Sequence, residues 1–264
     1  MVDNSHRRSV FRPIAATFCL ALALASASSN AATDYTDLWW TPTESGWGVN
    51  FVQADNFVFA TFFIYGTTNQ PTWYTGQMTV DANGIWSGPL FVTNGTFFGA
   101  TWNPAQSAIR QVGIATFAPS SDASGSLTYN VDGVPVAKQV IRQTLKTIPV
   151  GGTYAGSVFT SVTRCANPAQ NGNTSRFATI GVTQTVANNI TLNFSILNAG
   201  TCSFNGNAFQ YGQIYQLQGA NYSCGTAPAL VTGLKATAQG IEGEWQGPIG
   251  GGCVEAGSFT GTLQ

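Results

Sequence analysis

The segment with the densest chemical potential is Asp37 to Phe51, DLWWTPTESGWGVNF, which sets Trp39, Trp40 and Trp47 around one carboxylate, Glu44. Trp73 and Tyr74 repeat the aromatic emphasis downstream. Indole rings stack on the faces of sugars and other flat apolar surfaces, and a carboxylate orients a ligand by accepting from its hydroxyls. The segment has no lysine or arginine, so it suits a neutral polar ligand, such as a glycan of the cell envelope, better than a phosphate or a nucleic acid. A second reading stands beside this one. The rings form a core cluster, Pro42 to Gly46 bends the chain, and Glu44 caps nearby backbone N–H groups. On the first reading the ligand-binding residues are Trp39, Trp40, Glu44, Trp47, Trp73 and Tyr74.

Catalysis can be weighed by elimination. The single histidine, His6, lies in an N-terminal stretch that reads as a removable export signal. The mature chain therefore has no imidazole for a Ser-His or Cys-His device. Glu44-Ser45-Gly46-Trp47-Gly48 is not the Gly-x-Ser-x-Gly nucleophile elbow, and nothing places a serine beside Lys138, Lys146 or Lys235. Paired carboxylates remain. Glycoside hydrolysis needs two, about 5 to 10 Å apart, and Glu242 and Glu244 on one strand face would stand roughly 7 Å apart. Glu44 with Asp37 or Asp55 is the other possible pair. The chain has no D-x-D-x-D-G loop and no close C-x-x-C pairs, so neither a cofactor nor a metal is expected.

The export reading rests on the first 31 residues. His6, Arg7, Arg8 and Arg12 make a basic region, and Ile14 to Ala27 an uncharged apolar one, too short to cross a membrane as a helix. The following ASASSNAA offers cleavage after Ala27 or Ala31. Acylation at Cys19 is the alternative, disfavoured because Phe18 precedes it and Cys19 lies inside the apolar run. Removal leaves Cys165, Cys202, Cys224 and Cys253, which in an oxidising compartment should form two disulfides by one of three connectivities. Charged residues make up only 8% of the chain and the net charge is −1, so there is no electrostatic footprint for nucleic acid.

The elements that must position these residues read as strands. Trp47, Val49, Phe51 and Gln53 should share one strand face, with Gly48, Asn50 and Val52 on the other. Phe57 to Tyr65, FVFATFFIY, is apolar on both faces and predicts a central strand covered on both sides. Asp81-Ala82-Asn83-Gly84 and Asp132-Gly133 are hairpin turns. About seven or eight strands precede residue 145, enough for a small antiparallel barrel or sandwich. A recurrent aromatic-x-Gly-x-apolar step, as at Tyr154 to Val158, Trp245 to Ile249 and Phe259 to Leu263, points to tight curvature. An outer-membrane barrel would need strands of about 10 residues and aromatic girdles. The strands read from the sequence are shorter, and the chain ends in Leu263-Gln264.

Asp34 to Trp40 (DYTDLWW), Glu44 to Gly48 (ESGWG) and Gln70 to Tyr74 (QPTWY) together resemble a domain common in exported proteins of proteobacteria. The similarity extends to about Leu145 and takes in Gln111-Val112-Gly113 and Val131 to Val134. It implies export and a boundary near residue 146, and it carries no activity or ligand. The expected organisation is a signal peptide over 1–31, an aromatic-rich β domain over 32–145, a linker over 146–152 and a disulfide-stapled β domain over 153–264. The expected role is an exported, non-membrane-spanning, non-catalytic binding module. A carboxylate-based glycoside hydrolase and a purely structural envelope protein are the alternatives.

Overall fold

A computed structural model describes residues 33–186, 188–237 and 240–264. The signal-peptide expectation falls on residues 1–31 and lies outside the described residues. Residues 33–264 form one compact unit built from two closed antiparallel barrels of eight strands each.

The first barrel runs β1 (Asp37–Trp40), β2 (Gly48–Ala54), β3 (Phe57–Tyr65), β4 (Pro71–Val80), β5 (Trp86–Asn94), β6 (Ala108–Pro119), β7 (Ser124–Val131) and β8 (Val134–Arg142). Each strand pairs with the next, and β1 closes on β8 through Trp39 opposite Arg142 and Trp40 opposite Ile141. Turn chemistry sets this meander. Asp132 and Gly133 both hold positive φ, 49° and 86°, as a two-residue turn matched to strand twist requires.

The second barrel repeats the plan with β9 (Gly152–Thr163), β10 (Gly172–Gln184), β11 (Asn189–Ile196), β12 (Gly200–Tyr211), β13 (Ile214–Tyr222), β14 (Ala229–Ala236), β15 (Gly240–Pro248) and β16 (Val254–Leu263), closed by β9 against β16. β9 and β12 run 12 residues and β10 runs 13, longer than the alternation in the sequence suggests. Their polar outward positions disguise the strand signal at either end. The glycines of the aromatic-x-Gly step sit where strands crowd. A Cβ on Gly156 would collide with the Thr260 carbonyl oxygen, and one on Gly247 with the Ala229 Cβ. The connection over 143–151 is tied to the second barrel: Val150 is buried in its core, and the Tyr154 hydroxyl donates to the Val150 carbonyl at 3.0 Å.

Strand alternation sends one apolar face of each barrel inward. Trp39, Phe51 and Phe117 meet with ring centroids 5.0–5.9 Å apart in the first core. In the second, Phe194 packs edge-on against Phe204 and Phe259. Each such buried side chain contributes about 1.5–3 kcal/mol of hydrophobic stabilisation.

β3 corrects the sequence reading. Val58, Ala60 and Phe62 fill the barrel, but Phe57, Phe59, Phe63 and Tyr65 on the other face stand exposed, and no described element covers them. A closed barrel has only one interior, so a strand apolar on both faces leaves one of them outside.

The disulfides select one of the three connectivities, Cys165 with Cys253 and Cys202 with Cys224. Among the described residues no helix is long and apolar enough to cross a membrane.

The barrels meet through polar groups of the first. Gln213 N–H donates to Asp37 Oδ2 at 3.0 Å, and Gly233 N–H donates to Asp122 Oδ2 at 2.9 Å. The Gln216 side-chain amide donates to Asp122 Oδ1. Behind them Arg142 is buried, donating to the carbonyls of Asp34, Thr36 and Asp122 and pairing with Asp37 at 3.3 Å.

Candidate functional site

The loop over 41–47 joins β1 to β2 at one end of the first barrel. Glu44 N–H donates to the Thr41 carbonyl at 2.9 Å to close a turn. Thr41 Oγ1 donates to the Gln139 carbonyl at 2.7 Å, which fastens the loop to β8. Gly46 holds φ at +104°, and its missing Cβ leaves room for the Tyr65 ring. These local constraints carry Glu44 to the barrel mouth.

There Glu44 Oε2 accepts from Trp47 Nε1 at 3.1 Å and from Lys138 Nζ at 2.5 Å. The ammonium of Lys138 lies 5.5 Å from the centre of the Trp47 ring, within cation–π range. The Lys138 hydrogen bond, ahead of the Trp47 one, holds the Glu44 carboxyl below its ordinary value. Tyr129, buried beneath the mouth, is pushed up by burial and by the Glu44 charge. On the neighbouring rim Arg110 grips Asp132 with two bonds of 2.5 and 3.0 Å. The charges of the mouth are thus neutralised pairwise, and between them stand aromatic rings and ionised hydrogen-bonding groups.

The sequence-predicted residues separate according to the pleat. Trp39 is 0% exposed and belongs to the core, so it leaves the predicted contact surface. Trp40, next along the same strand, turns outward and is half-buried. The same parity divides Trp73 from Tyr74: Tyr74 faces inward opposite Phe62, while Trp73 is 52% exposed on the outer wall opposite Phe63. Glu44 and Trp47 come together as expected. Gly48, Phe63 and Trp73 lie in register across β2, β3 and β4, which places Trp73 about 10 Å from the start of β2 by strand spacing.

None of Lys138, Phe63 and Tyr65 is among the sequence-predicted contact residues. Alternation along FVFATFFIY is the signal that could have found the two aromatics. Nothing local announces that Lys138, 94 residues from Glu44, is its partner.

The alternative carboxylates are arranged differently. Glu242 and Glu244 lie on the outward face of β15, and partial desolvation of the Glu244 carboxyl, then the Asp122 charge, raises it. They sit on a barrel wall, with Glu242 opposite Lys235 in the β14 register. Asp37 is committed to Arg142 and Gln213 at the opposite end of the first barrel from Glu44. No group of three or more potential metal-ligating side chains occurs among the described residues.

The fold and this site define a tandem pair of eight-stranded antiparallel barrels with an aromatic, charge-balanced mouth on the first. No protein-family model, curated protein or solved structure matches the chain.

Proposed function

We propose that the chain is an exported, non-catalytic binding module that takes a neutral polar ligand, a glycan of the cell envelope, at the mouth of the first barrel. The observation that carries this is the Glu44–Lys138–Trp47 arrangement. A carboxylate held ionised by an ammonium and an indole N–H is a fixed hydrogen-bond acceptor. It is a poor general acid, which needs a raised carboxyl. The Trp47 ring beside it is half-buried against the first core and offers its exposed part to a ligand, and the pairing of Arg110 with Asp132 removes the net charge that would favour an ionic ligand.

Export is supported by the basic-then-apolar N-terminal sequence, by two disulfides in one barrel, and by the resemblance of residues 34–145 to exported proteobacterial domains. Both barrels pack apolar side chains inside, the reverse of a membrane barrel with a polar lumen. The proposal is tested by retention of the mature protein on insoluble polysaccharides and cell-wall sacculi beside Trp47→Ala and Glu44→Gln. Retention that both substitutions abolish supports it. Indifference of retention to both, or failure to bind every matrix, overturns it.

A further inference from the structure

The outward face of β2, β3 and β4 is aromatic, uncharged and uncovered. Val52, Phe57, Phe59, Phe63, Tyr65 and Trp73 are each between 36% and 54% exposed. Register orders them into rows across the sheet. Val52, Phe59 and Gln77 form one row, and Gly48, Phe63 and Trp73 another. Between them runs a polar row of Asn50, Thr61 and Thr75. Phe59 and Phe63, the rings at the centre of these two rows, are four residues apart along β3, about 13 Å. No outward position of these three strands carries a charge. At its upper end the strip runs into the mouth, where the Tyr65 ring fills the space beside Gly46.

We infer that this face is a platform for an extended, linear, uncharged polysaccharide lying along β3, with the barrel mouth as its terminal subsite. The inference rests on the glycan reading of the mouth and adds the class of ligand: a chain, recognised over several rings. Sugar rings present an apolar C–H face edged by hydroxyls, so their complement is aromatic surface interleaved with uncharged hydrogen-bonding groups. Phe59, then the Asn50–Thr61–Thr75 row, then Phe63 beside Trp73 provide this. An anionic membrane would call for basic residues on the face, and there are none. A self-interface would place a continuous apolar centre where the polar row runs, and a closed barrel offers no free strand edge for pairing.

The test measures affinity for soluble cello-, xylo- and chito-oligosaccharides of increasing length. It uses the mature protein, Phe59→Thr, Val52→Thr and Trp47→Ala, with Phe177→Thr on the second barrel as the control. Threonine keeps the β propensity of an exposed strand position, and the two strip variants check one another. Affinity in one series should rise with chain length, and Phe59→Thr should lower it about tenfold for long chains. Val52→Thr should act in the same direction, and the control should match the parent. Length-independent binding that Trp47→Ala abolishes and both strip variants leave intact overturns the platform while sparing the proposed function. Loss of all saccharide binding in the parent overturns both. Two other results would reassign the face and overturn the inference: a dimer that Phe59→Thr dissociates in sedimentation, or co-sedimentation with phosphatidylcholine vesicles that it abolishes.

Discussion

The backbone N–H of Gln213 donates to the Asp37 carboxylate at 3.0 Å across 176 residues of chain, which ties the second barrel to the first strand of the first. Gly212 makes the approach possible: its φ is +57°, and a Cβ there would collide with the same carboxylate. On the other side Asp37 is paired with the buried Arg142. The junction is thus one connected polar network whose members satisfy each other.

Arg142→Met should therefore destabilise the protein by about 3–5 kcal/mol, because it leaves the buried Asp37 charge without its cation and three carbonyls without their donor. Urea unfolding followed by tryptophan fluorescence measures this. A loss under about 1 kcal/mol would show that Arg142 is dispensable to the junction.

The mouth should respond to acid with a defined sign. Glu44 is held below its ordinary value of 4.5 by Lys138 and Trp47. Whatever the pairing adds is present above that value and is lost as pH falls through the lower folded one. The Trp47 indole N–H resonance should hold steady across neutral pH and shift only once pH has fallen below the ordinary carboxyl value. In Glu44→Gln it should stay constant throughout.

The two disulfides should separate by accessibility and by loop length. Cys165 and Cys253 are buried, while Cys224 is exposed, so mild reductant should open Cys202–Cys224 first, as peptide mapping after alkylation would show. The chain-entropy model assigns about 4.6 kcal/mol to the bridge spanning 88 residues and about 3.4 to the one spanning 22. Replacing Cys165 and Cys253 by alanine should therefore lower Tm more than replacing Cys202 and Cys224.

Gly156→Ala should cost roughly 2–3 kcal/mol or prevent folding, since the collision is with backbone of β16 that cannot move without opening the barrel seam. Gly172→Ala, where a Cβ meets nothing, should leave Tm nearly unchanged. Equal effects of the two would mean that curvature at the seam does not depend on Gly156.

Period-two alternation and turn residues act between neighbours in the chain. That is why the β class, the hairpins at Asp81 to Gly84 and Asp132-Gly133, and the inward set Val49 and Phe51 are legible in the amino-acid sequence. The same rule implies that Trp39 and Trp40 face opposite ways, as do Trp73 and Tyr74. Composition alone groups such pairs together; the pleat separates them. What alternation does not say is which face becomes the interior once the sheet closes. FVFATFFIY satisfies both choices, and only the pairing of β1 with β8 and the curvature of the closed sheet decide that Phe62 is buried and Phe63 exposed. Likewise the sequence by itself determines that four cysteines follow the N-terminal segment and that Glu44 lies beside tryptophans. The disulfide partners, the Lys138 ammonium on Glu44 and the Asp37–Gln213 tie all join positions far apart in the chain. Each is set by strand register and barrel closure, which are properties of the assembled sheets and of no local segment.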